Sequence, residues 1–587
     1  MAGTSDVARI EAPVTAKAYM MCAFASFGGI FFGYDSGYIS GVMGMDYFIH
    51  LYTGKPIPGV GASSAELAAF VLPASDKSLI TSILSAGTFF GALIAGDLAD
   101  WFGRRTTVIL GCMVFIVGVI LQTASTGIGL LVAGRLIAGF GVGFVSATII
   151  LYMSEICPKK VRGALVSGYQ FCITIGLLLA SCVDYATQHR LDTGSYRIPI
   201  ALQIAWALIL GGGLFLLPES PRYFVKKGDL DRAAINLARL RGEPQGSEYV
   251  QQELTEIIAN HEYEMSVIPQ TGYFGSWANC FKGGLSNPGS NLRRTILGTS
   301  LQMMQQWTGV NFIFYFGTTF FKALGTISNP FLIGLITTLV NVCSTPISFY
   351  TVERFGRRPI LIWGALGMLT CEFIVAIIGV TAGRESQHNT AAVQAMIAFI
   401  CIYISFFATT WGPGAWVLVG EIYPLPIRSR GVGLSTASNW LWNCIIAVIT
   451  PYLVGTEKGQ ANLGAKVFFM WGALCTCCFV YAYLLVPETK GLSLEQVDRM
   501  LEESTPRTSA KMALLVSTFN MPRSLMFEIF ARWFLIHSSI RASWDTVVVC
   551  FSTVIKGDTV IVITVFGYQG WSGRSHDQGS DRNILTR

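Results

Sequence analysis

Long apolar stretches alternate with short polar loops along most of this chain. A helix of roughly 20 apolar residues crosses about 30 Å of hydrocarbon. Twelve stretches reach that length, near 20–43, 78–98, 106–125, 130–151, 164–183, 200–217, 294–321, 329–350, 359–381, 393–419, 430–454 and 466–486. Two connections are longer, 44–77 and 218–293; the second is polar and reads as short helices with N-caps at Asp229 and Ser247. The pattern predicts an all-α polytopic membrane protein with twelve transmembrane helices.

Composition excludes the main alternatives to a membrane protein. Of the 587 residues, 52% are apolar and 13% are charged, whereas soluble domains carry about 25% charged residues. Intrinsic disorder would need low hydrophobicity and a high net charge. The net charge of +6 is spread thinly, and no dense basic run points to nucleic acid as a partner. The expected surroundings are the lipid bilayer.

Orientation follows from the basic residues. Lys and Arg are concentrated in the loops that follow segments 2, 4, 6, 8 and 10. Because such residues are enriched in cytoplasmic loops, these loops and both termini are predicted to face the cytoplasm.

An internal repeat relates the two halves of the chain. The repeated elements are Gly103-Arg104-Arg105 and Gly356-Arg357-Arg358 after segments 2 and 8, Glu155 with Arg162 and Glu421 with Arg428 after segments 4 and 10, and Pro218-Glu219-Ser220 and Pro487-Glu488-Thr489 after segments 6 and 12. Two parallel six-helix halves explain this order, and a substrate site is then expected between them near the bilayer midplane. The predicted parts are an N-terminal tail (1–19), the N-terminal half (20–217), a cytoplasmic helical linker (218–293), the C-terminal half (294–486), a cytoplasmic tail (487–511) and an atypical tail (512–587).

Five motifs resemble those of a known family. They are Gly-Asp-Leu-Ala-Asp-Trp-Phe-Gly-Arg-Arg (96–105), Pro-Glu-Ser-Pro-Arg (218–222), Gln-Gln-Trp-Thr-Gly-Val-Asn (305–311), Glu-Arg-Phe-Gly-Arg-Arg (353–358) and Pro-Glu-Thr-Lys-Gly (487–491). Over about residues 18–508 the chain resembles the sugar porters of the major facilitator superfamily, and the stretch 32–48 looks most like fungal glucose transporters. The resemblance implies the major facilitator fold and transport of a monosaccharide by alternating access.

The resemblance stops after residue 511. Residues 512–587 include apolar stretches at 526–536 and 546–566, and the second contains Lys556 and Asp558 at its centre. Two charges in the middle of a membrane span are costly, so a thirteenth helix is not favoured. A disordered, membrane-associating tail and a wrongly joined gene model stay open as alternatives.

The resemblance also implies which residues bind sugar. The family's ligands correspond to Gln170, Gln305, Gln306, Asn311, Asn341, Trp416, Asn439 and Asn443. Amides both donate and accept hydrogen bonds without bringing a charge into the membrane, and an indole can stack on the apolar face of a sugar ring. On a straight helix Gln305, Gln306 and Asn311 would point in different directions, so segment 7 is expected to bend or break near Thr308-Gly309.

Asp35 stands in the middle of segment 1, where an ionisable residue is functional by default. It points away from a ridge of small residues for close helix packing, formed by Gly29, Gly33, Gly37 and Gly41. Counting 1.5 Å per residue places Asp35 and Arg135 of segment 4 about 22 and 23 Å from the inner edge, so Arg135 is the expected partner. In proton-coupled relatives the aspartate takes up the proton, which implies that protonation of Asp35 releases Arg135. A permanent structural ion pair is the alternative.

Charged residues at the cytoplasmic helix ends occupy equivalent places in the two halves. They are Arg104, Arg105, Glu155 and Arg162 in the first half and Glu353, Arg357, Arg358, Glu421 and Arg428 in the second. We expect cross-linked pairs among them to hold the inner side closed and to part when the carrier opens inward. A positive-inside bias alone would explain the arginines but not the glutamates.

The sequence shows no nucleophile with a base, no phosphate loop and no metal-ligand cluster, so neither an enzyme nor a cofactor is expected. Two other functions share the expected fold, a facilitative hexose uniporter and a non-transporting glucose sensor. A sensor should carry a long polar tail with repeated docking motifs, and this chain has no such repeat. The favoured prediction is a sugar:proton symporter of the plasma membrane. Glucose is the expected sugar, and galactose, xylose and fructose stay open as alternatives.

Overall fold

The structure is a computed structural model that describes residues 15–58, 70–158, 161–267, 272–285, 287, 289–323, 329–381, 390–455, 460–492 and 494–511. Within these residues the regular secondary structure is helical, without a strand. The atypical tail, 512–587, and most of the N-terminal tail lie outside the described residues.

Twenty-two α-helices make up the described part of the chain. They are α1 (Ala16–Ser26), α2 (Gly28–Val42), α3 (Asp46–Thr53), α4 (Ala74–Phe102), α5 (Arg104–Ala124), α6 (Ile128–Ile156), α7 (Arg162–Thr187), α8 (Gly194–Leu214), α9 (Pro221–Lys227), α10 (Leu230–Arg241), α11 (Glu248–Val267), α12 (Tyr273–Asn279), α13 (Asn291–Trp307), α14 (Val310–Ala323), α15 (Pro330–Ser344), α16 (Ile347–Phe355), α17 (Arg357–Thr381), α18 (Thr390–Thr409), α19 (Trp411–Glu421), α20 (Leu425–Val454), α21 (Val467–Leu485) and α22 (Leu494–Glu503).

The helices follow the order of the twelve predicted segments. In the described residues ten spans are long and apolar enough to cross a membrane, with α1 and α2 forming one span and α18 and α19 another. Helices α15 and α16 meet at 43° and form an eleventh, bent span. The twelfth is interrupted between Trp307 and Val310, so that its two helices, α13 and α14, have only 17 and 14 residues. These spans form the all-α, twelve-helix architecture that the apolar pattern predicts.

The glycine ridge of α2 packs directly on α7. A Cβ atom at Gly29 would overlap the carbonyl oxygen of Tyr169, and one at Gly33 would overlap that of Ile173. Only a residue without a side chain lets two helix backbones approach this closely. The predicted packing role of the ridge is confirmed.

Replacing Gly33 with alanine is therefore expected to push α2 away from α7 and to lower stability by about 1–3 kcal/mol, the usual cost of overpacking. Gly212 in α8 is the matched control, because no atom lies within 4 Å of where its Cβ would be. Gly212→Ala should leave the melting temperature of the purified protein unchanged or raise it slightly, since alanine favours the helix. Equal melting temperatures for the two variants would contradict the packing argument.

The linker between the halves is a small helical layer at one end of the bundle, called here the linker side. The Asp229 side chain caps α10 by accepting a hydrogen bond from the Arg232 backbone N–H, as predicted. Ser247 directly precedes α11, but its hydroxyl has no hydrogen-bond partner among the described residues. Arg241 joins this layer to α6, because its guanidinium donates to the Ile156 carbonyl at 2.8 Å and pairs with Glu253.

Candidate functional site

The span formed by α13 and α14 is broken, as the sequence predicts. Helix α13 ends at Trp307 and α14 begins at Val310. Between them Gly309 has a φ of +81°, which favours glycine, and a Cβ there would lie 2.9 Å from the Trp471 ring. The break turns the polar residues before and after it toward the same space.

All eight residues predicted to bind sugar line one cavity between the halves, called here the central cavity. Its lining includes Gln170, Gln305, Gln306, Asn311, Asn341, Trp416, Asn439 and Asn443. The empty space, counted to its open mouth, is about 560 Å³, within the range of about 300–1,000 Å³ for small-molecule sites. Phe32, Phe314 and Phe407 supply apolar wall.

Some of these amides are fixed by the protein itself. Gln305 donates to the carbonyl oxygens of Trp411 and Gly412 at 3.0 Å, in the first turn of α19. The Asn439 amide donates to Gln305 Oε1 at 2.8 Å and also to Gln302. These bonds hold the amide groups of α13 and α20 in one orientation before any ligand binds.

A second fixed group surrounds Asn443 of α20. Its amide nitrogen donates to the Tyr315 hydroxyl at 3.1 Å, and its oxygen accepts from Ser85 of the other half at 2.8 Å. The Asn311 amide donates to Gln306 Oε1. This network therefore reaches across the interface between the halves.

Two of the predicted ligands keep their hydrogen-bonding capacity free. Neither the amide oxygen nor the amide nitrogen of Asn341 has a hydrogen-bond partner among the described residues. The Gln170 side chain likewise makes no hydrogen bond to a described residue. Buried polar groups are normally satisfied, so unpaired ones in a cavity wall are available for a ligand. Trp416 lines the same cavity and packs edge to face on Tyr169, with ring centroids 6.2 Å apart.

The expected direct pairing of Asp35 with Arg135 is not present in this structure. Both side chains are buried, but neither carboxylate oxygen of Asp35 has a hydrogen-bond partner in the described part of the chain. Arg135 instead donates to the Tyr38 hydroxyl at 2.6 Å and to the Ile80 carbonyl at 2.7 Å. Tyr38 lies one turn beyond Asp35 on α2, and its longer side chain reaches the guanidinium first.

The charged groups on the linker side form two equivalent clusters, one in each half. Arg104 pairs with Glu155 at 2.9 Å, and Arg357 pairs with Glu421 at 2.8 Å. Both members of each pair belong to the same half. The expected pairing of these residues across the halves is therefore not present in this structure. The pairs fasten the start of α5 to the end of α6, and the start of α17 to the end of α19.

The repeated Pro-Glu-Ser and Pro-Glu-Thr motifs complete these clusters. Glu219 accepts a hydrogen bond from the Arg104 backbone N–H at 2.9 Å, and Glu488 accepts from that of Arg357 at 3.0 Å. The hydroxyls that follow, of Ser220 and Thr489, donate to the carboxylates of the paired glutamates. The sequence repeat is thus repeated in three dimensions.

Glycine begins each arginine motif for a structural reason. Gly103 and Gly356 have φ angles of +94° and +93°, a region that side chains disfavour. A Cβ at either position would also collide with the carboxylate of Glu219 or Glu488.

One predicted gate residue, Glu353, and several residues outside the predicted set join the halves on the linker side. Asp97 of α4 pairs with Arg430 of α20 at 2.9 Å, and Ser429 donates to Asp100 at 2.7 Å. Glu353 accepts a hydrogen bond from the Ala164 backbone N–H at 3.0 Å. Asp97 and Asp100 lie in the quoted motif 96–105, so that motif was the available signal.

Three other predicted gate residues each donate to a carbonyl oxygen of their own half. The Arg105 guanidinium donates to the Leu217 carbonyl at 3.0 Å, Arg358 donates to that of Tyr483 at 2.7 Å, and Arg428 donates to that of Tyr423 at 2.9 Å. The side chain of Arg162 lies outside what the structure describes.

Two buried carboxylates were not predicted from the sequence. Asp184 near the end of α7 and Glu372 in the middle of α17 are almost fully buried, and each has a carboxylate oxygen without a partner among the described residues. The signal was the one used for Asp35, an acidic residue in or next to an apolar segment. Gln302 and Tyr38 were also missed, because their roles depend on how neighbouring helices pack.

Known transporters are similar to this chain over the whole twelve-helix region. A family model described as "Sugar (and other) transporter" matches residues 21–501. The "Major facilitator-type transporter ecdD" of Aspergillus rugulosus is 47% identical over 501 residues, which cover 84% of this chain and 89% of that protein. The "Probable glucose transporter rco-3" of Neurospora crassa is 42% identical over 492 residues, which cover 83% and 80%.

A solved structure has a similar fold. The proton:xylose symporter XylE bound to 6-bromo-6-deoxy-D-glucose superposes with a TM-score of 0.68. Its sequence is 24% identical, and the alignment covers 84% of this chain and 100% of that chain. At this level of sequence identity, the structural similarity supports only a shared fold.

Proposed function

This chain belongs to the sugar transporter family of the major facilitator superfamily, and on that premise we propose that it moves glucose through the central cavity together with a proton. It is a multi-pass membrane transporter and not an enzyme. The plasma membrane and cytoplasmic termini are part of the proposal, supported by the basic residues of the alternate loops.

The observation that carries the proposal is the neutral, polar lining of the central cavity. Its described wall contains the seven amides and the one indole of the predicted set and no ionised side chain. Such a wall suits a neutral solute with many hydroxyls, because each amide can both donate and accept a hydrogen bond. An ion or an amino acid would leave its charge unpaired there.

Alternating access needs an interface that can open on either side of the cavity. On the linker side the halves meet through Asp97 with Arg430 and through Asp100 with Ser429. On the opposite side, called here the far side, Ser40 of α2 donates to Thr318 of α14 at 3.3 Å. These contacts lie on the two sides of the central cavity, and rigid-body rocking of one half against the other would break them in turn.

The proton is assigned to Asp35. This carboxyl is fully buried and lies next to Ser36, which lines the central cavity. Protonation would remove its charge, and Arg135 would then be free to bind elsewhere. The bonds from Arg135 to Tyr38 and Ile80 match that released arrangement. A facilitative uniporter would use the same cavity without this step.

Replacing Asn341 with alanine tests the assignment of the cavity. The expected result is a rise of about tenfold in the KM for glucose, since one or two hydrogen bonds to the sugar are lost. The amount of folded protein should stay unchanged, because Asn341 makes no side-chain hydrogen bond to the described residues. Asn439→Ala should also lower stability, because it breaks the bonds to Gln302 and Gln305.

The measurement is uptake of radiolabelled glucose in a cell without its own hexose transporters, with the amount of protein at the surface measured in parallel. Unlabelled galactose, xylose and fructose serve as competitors. Saturable uptake with glucose as the best competitor is expected. Protein at the surface without uptake of any of these sugars would contradict transport and favour a sensor.

A further inference from the structure

A second cavity lies beside the central one, between α2, α7, α14 and α15. Its empty space, counted to its open mouth, is about 460 Å³, and Leu177 and Phe314 belong to the walls of both cavities. On α7 the lining passes from Gln170 in the central cavity to Asp184 in the second one, about 21 Å farther from the linker side at 1.5 Å per residue. The second cavity is called here the far-side chamber.

The polar groups of the far-side chamber come from both halves. Its wall contains the carboxylate of Asp184 and the hydroxyls of Ser40, Ser181, Thr318, Thr337 and Thr338. The inter-half hydrogen bond between Ser40 and Thr318 crosses this wall. A solute passing between the halves on this side therefore passes these groups.

Asp184 is the residue of the far-side chamber whose hydrogen-bonding capacity is left unsatisfied. Its side chain is only 3% exposed, and its Oδ1 atom has no hydrogen-bond partner in the described residues. The structure places no basic side chain within ion-pairing distance of it among those residues. A buried carboxylate without a partner is costly, and hydroxyl donors from a ligand would satisfy it.

We propose that the far-side chamber is a second subsite for the transported monosaccharide, in which Asp184 accepts hydrogen bonds from two neighbouring hydroxyls of the sugar. A carboxylate has two acceptor oxygens, and its hydrogen bonds are stronger than those between neutral groups. The inference rests on the proposed function, because it concerns the same solute on the way to the central cavity.

The hydroxyls of the chamber complement this role. Thr337 and Thr338 already donate to the Gly334 carbonyl, at 2.8 and 3.1 Å, so their oxygens are left as acceptors. Ser181 makes no hydrogen bond within the described residues and can do either. The chamber can therefore accept from a sugar hydroxyl at one edge while Asp184 accepts at another.

The test places a reporter in the chamber. Ser181→Cys is introduced into the full chain, and the rate at which an impermeant methanethiosulfonate modifies residue 181 is followed by peptide mass spectrometry. Glucose is expected to slow the modification severalfold. The protection should persist when Gln170→Ala and Asn341→Ala weaken the central cavity, because the two subsites are separate.

Asp184→Asn in the same background is expected to raise the glucose concentration needed for protection about tenfold. Ser40→Ala is a milder second variant that should raise it less. Glu372→Gln is the matched control, since Glu372 is also a buried carboxylate with an unpartnered oxygen but lines neither cavity. It should leave protection unchanged.

Several outcomes would overturn the subsite. Protection that disappears with the central variants would reduce it to a conformational effect of the central cavity. Protection unchanged by Asp184→Asn would remove the carboxylate from the site, and protection by Na⁺ rather than by glucose would make it a cation site. If the parent protein takes up no sugar at all, the proposed function fails, whereas failure of the subsite alone leaves uptake intact.

Discussion

Asp35→Asn is expected to abolish sugar-driven proton uptake while leaving the sugar able to equilibrate across the membrane. Asparagine has the shape of a protonated aspartate but cannot release a proton, so the carrier would stay in its protonated form. Arg135 would keep its bonds to Tyr38 and Ile80. Alkalinisation of the medium on addition of glucose should vanish, and the steady-state accumulation ratio should fall to about one.

Glu372→Gln is the control for this prediction. It neutralises another fully buried carboxyl in a transmembrane helix, in the other half and away from the central cavity. Alkalinisation should survive there. Alkalinisation that also survives Asp35→Asn would exclude this carboxyl as the coupling group, and its absence in the unmodified protein would indicate a facilitative uniporter.

Glu421→Arg is expected to have the second large effect, a loss of transport together with a loss of folded protein. Glu421 is the ion-pair partner of Arg357, and both side chains are almost fully buried. Breaking such a pair leaves an uncompensated buried charge and costs about 3–5 kcal/mol. The substitution also removes the acceptor for the Thr489 hydroxyl. The measurement is the surface level and the melting temperature of the variant, followed by uptake.

The control reverses a charge in an exposed pair. Asp192 pairs with Arg190 at 2.9 Å, and their side chains are 57% and 50% exposed. Asp192→Arg should change surface level and uptake little. Adding Arg357→Glu to Glu421→Arg should restore part of the lost stability. A Glu421→Arg protein with normal uptake and melting temperature would contradict the role of the cluster.

The break in the seventh span could be predicted from the sequence. Gln305, Gln306 and Asn311 cannot face one cavity on a straight helix, so a requirement of function predicted a change of backbone at Gly309, which the structure contains. The apolar pattern and the motif repeat likewise predicted the helices and their order, because both depend on local sequence.

Partner choice could not be predicted in the same way. Counting residues along two helices gave similar heights for Asp35 and Arg135, but it says nothing about a longer competitor such as Tyr38. The linker-side repeat predicted equivalent positions, yet whether Arg357 pairs within its half or across the interface depends on how the halves dock. The cross-half pair of Asp97 with Arg430 is a product of that docking.

The most direct test of proton-coupled glucose transport uses the purified protein in liposomes with no other transporter. An inward proton gradient is imposed with equal glucose on both sides, and internal glucose is followed with time. Proton-coupled transport should give a transient rise of internal glucose above the external concentration, which a protonophore abolishes. Exchange of labelled glucose without any rise would contradict the coupling, and no glucose movement at all would contradict the proposed function.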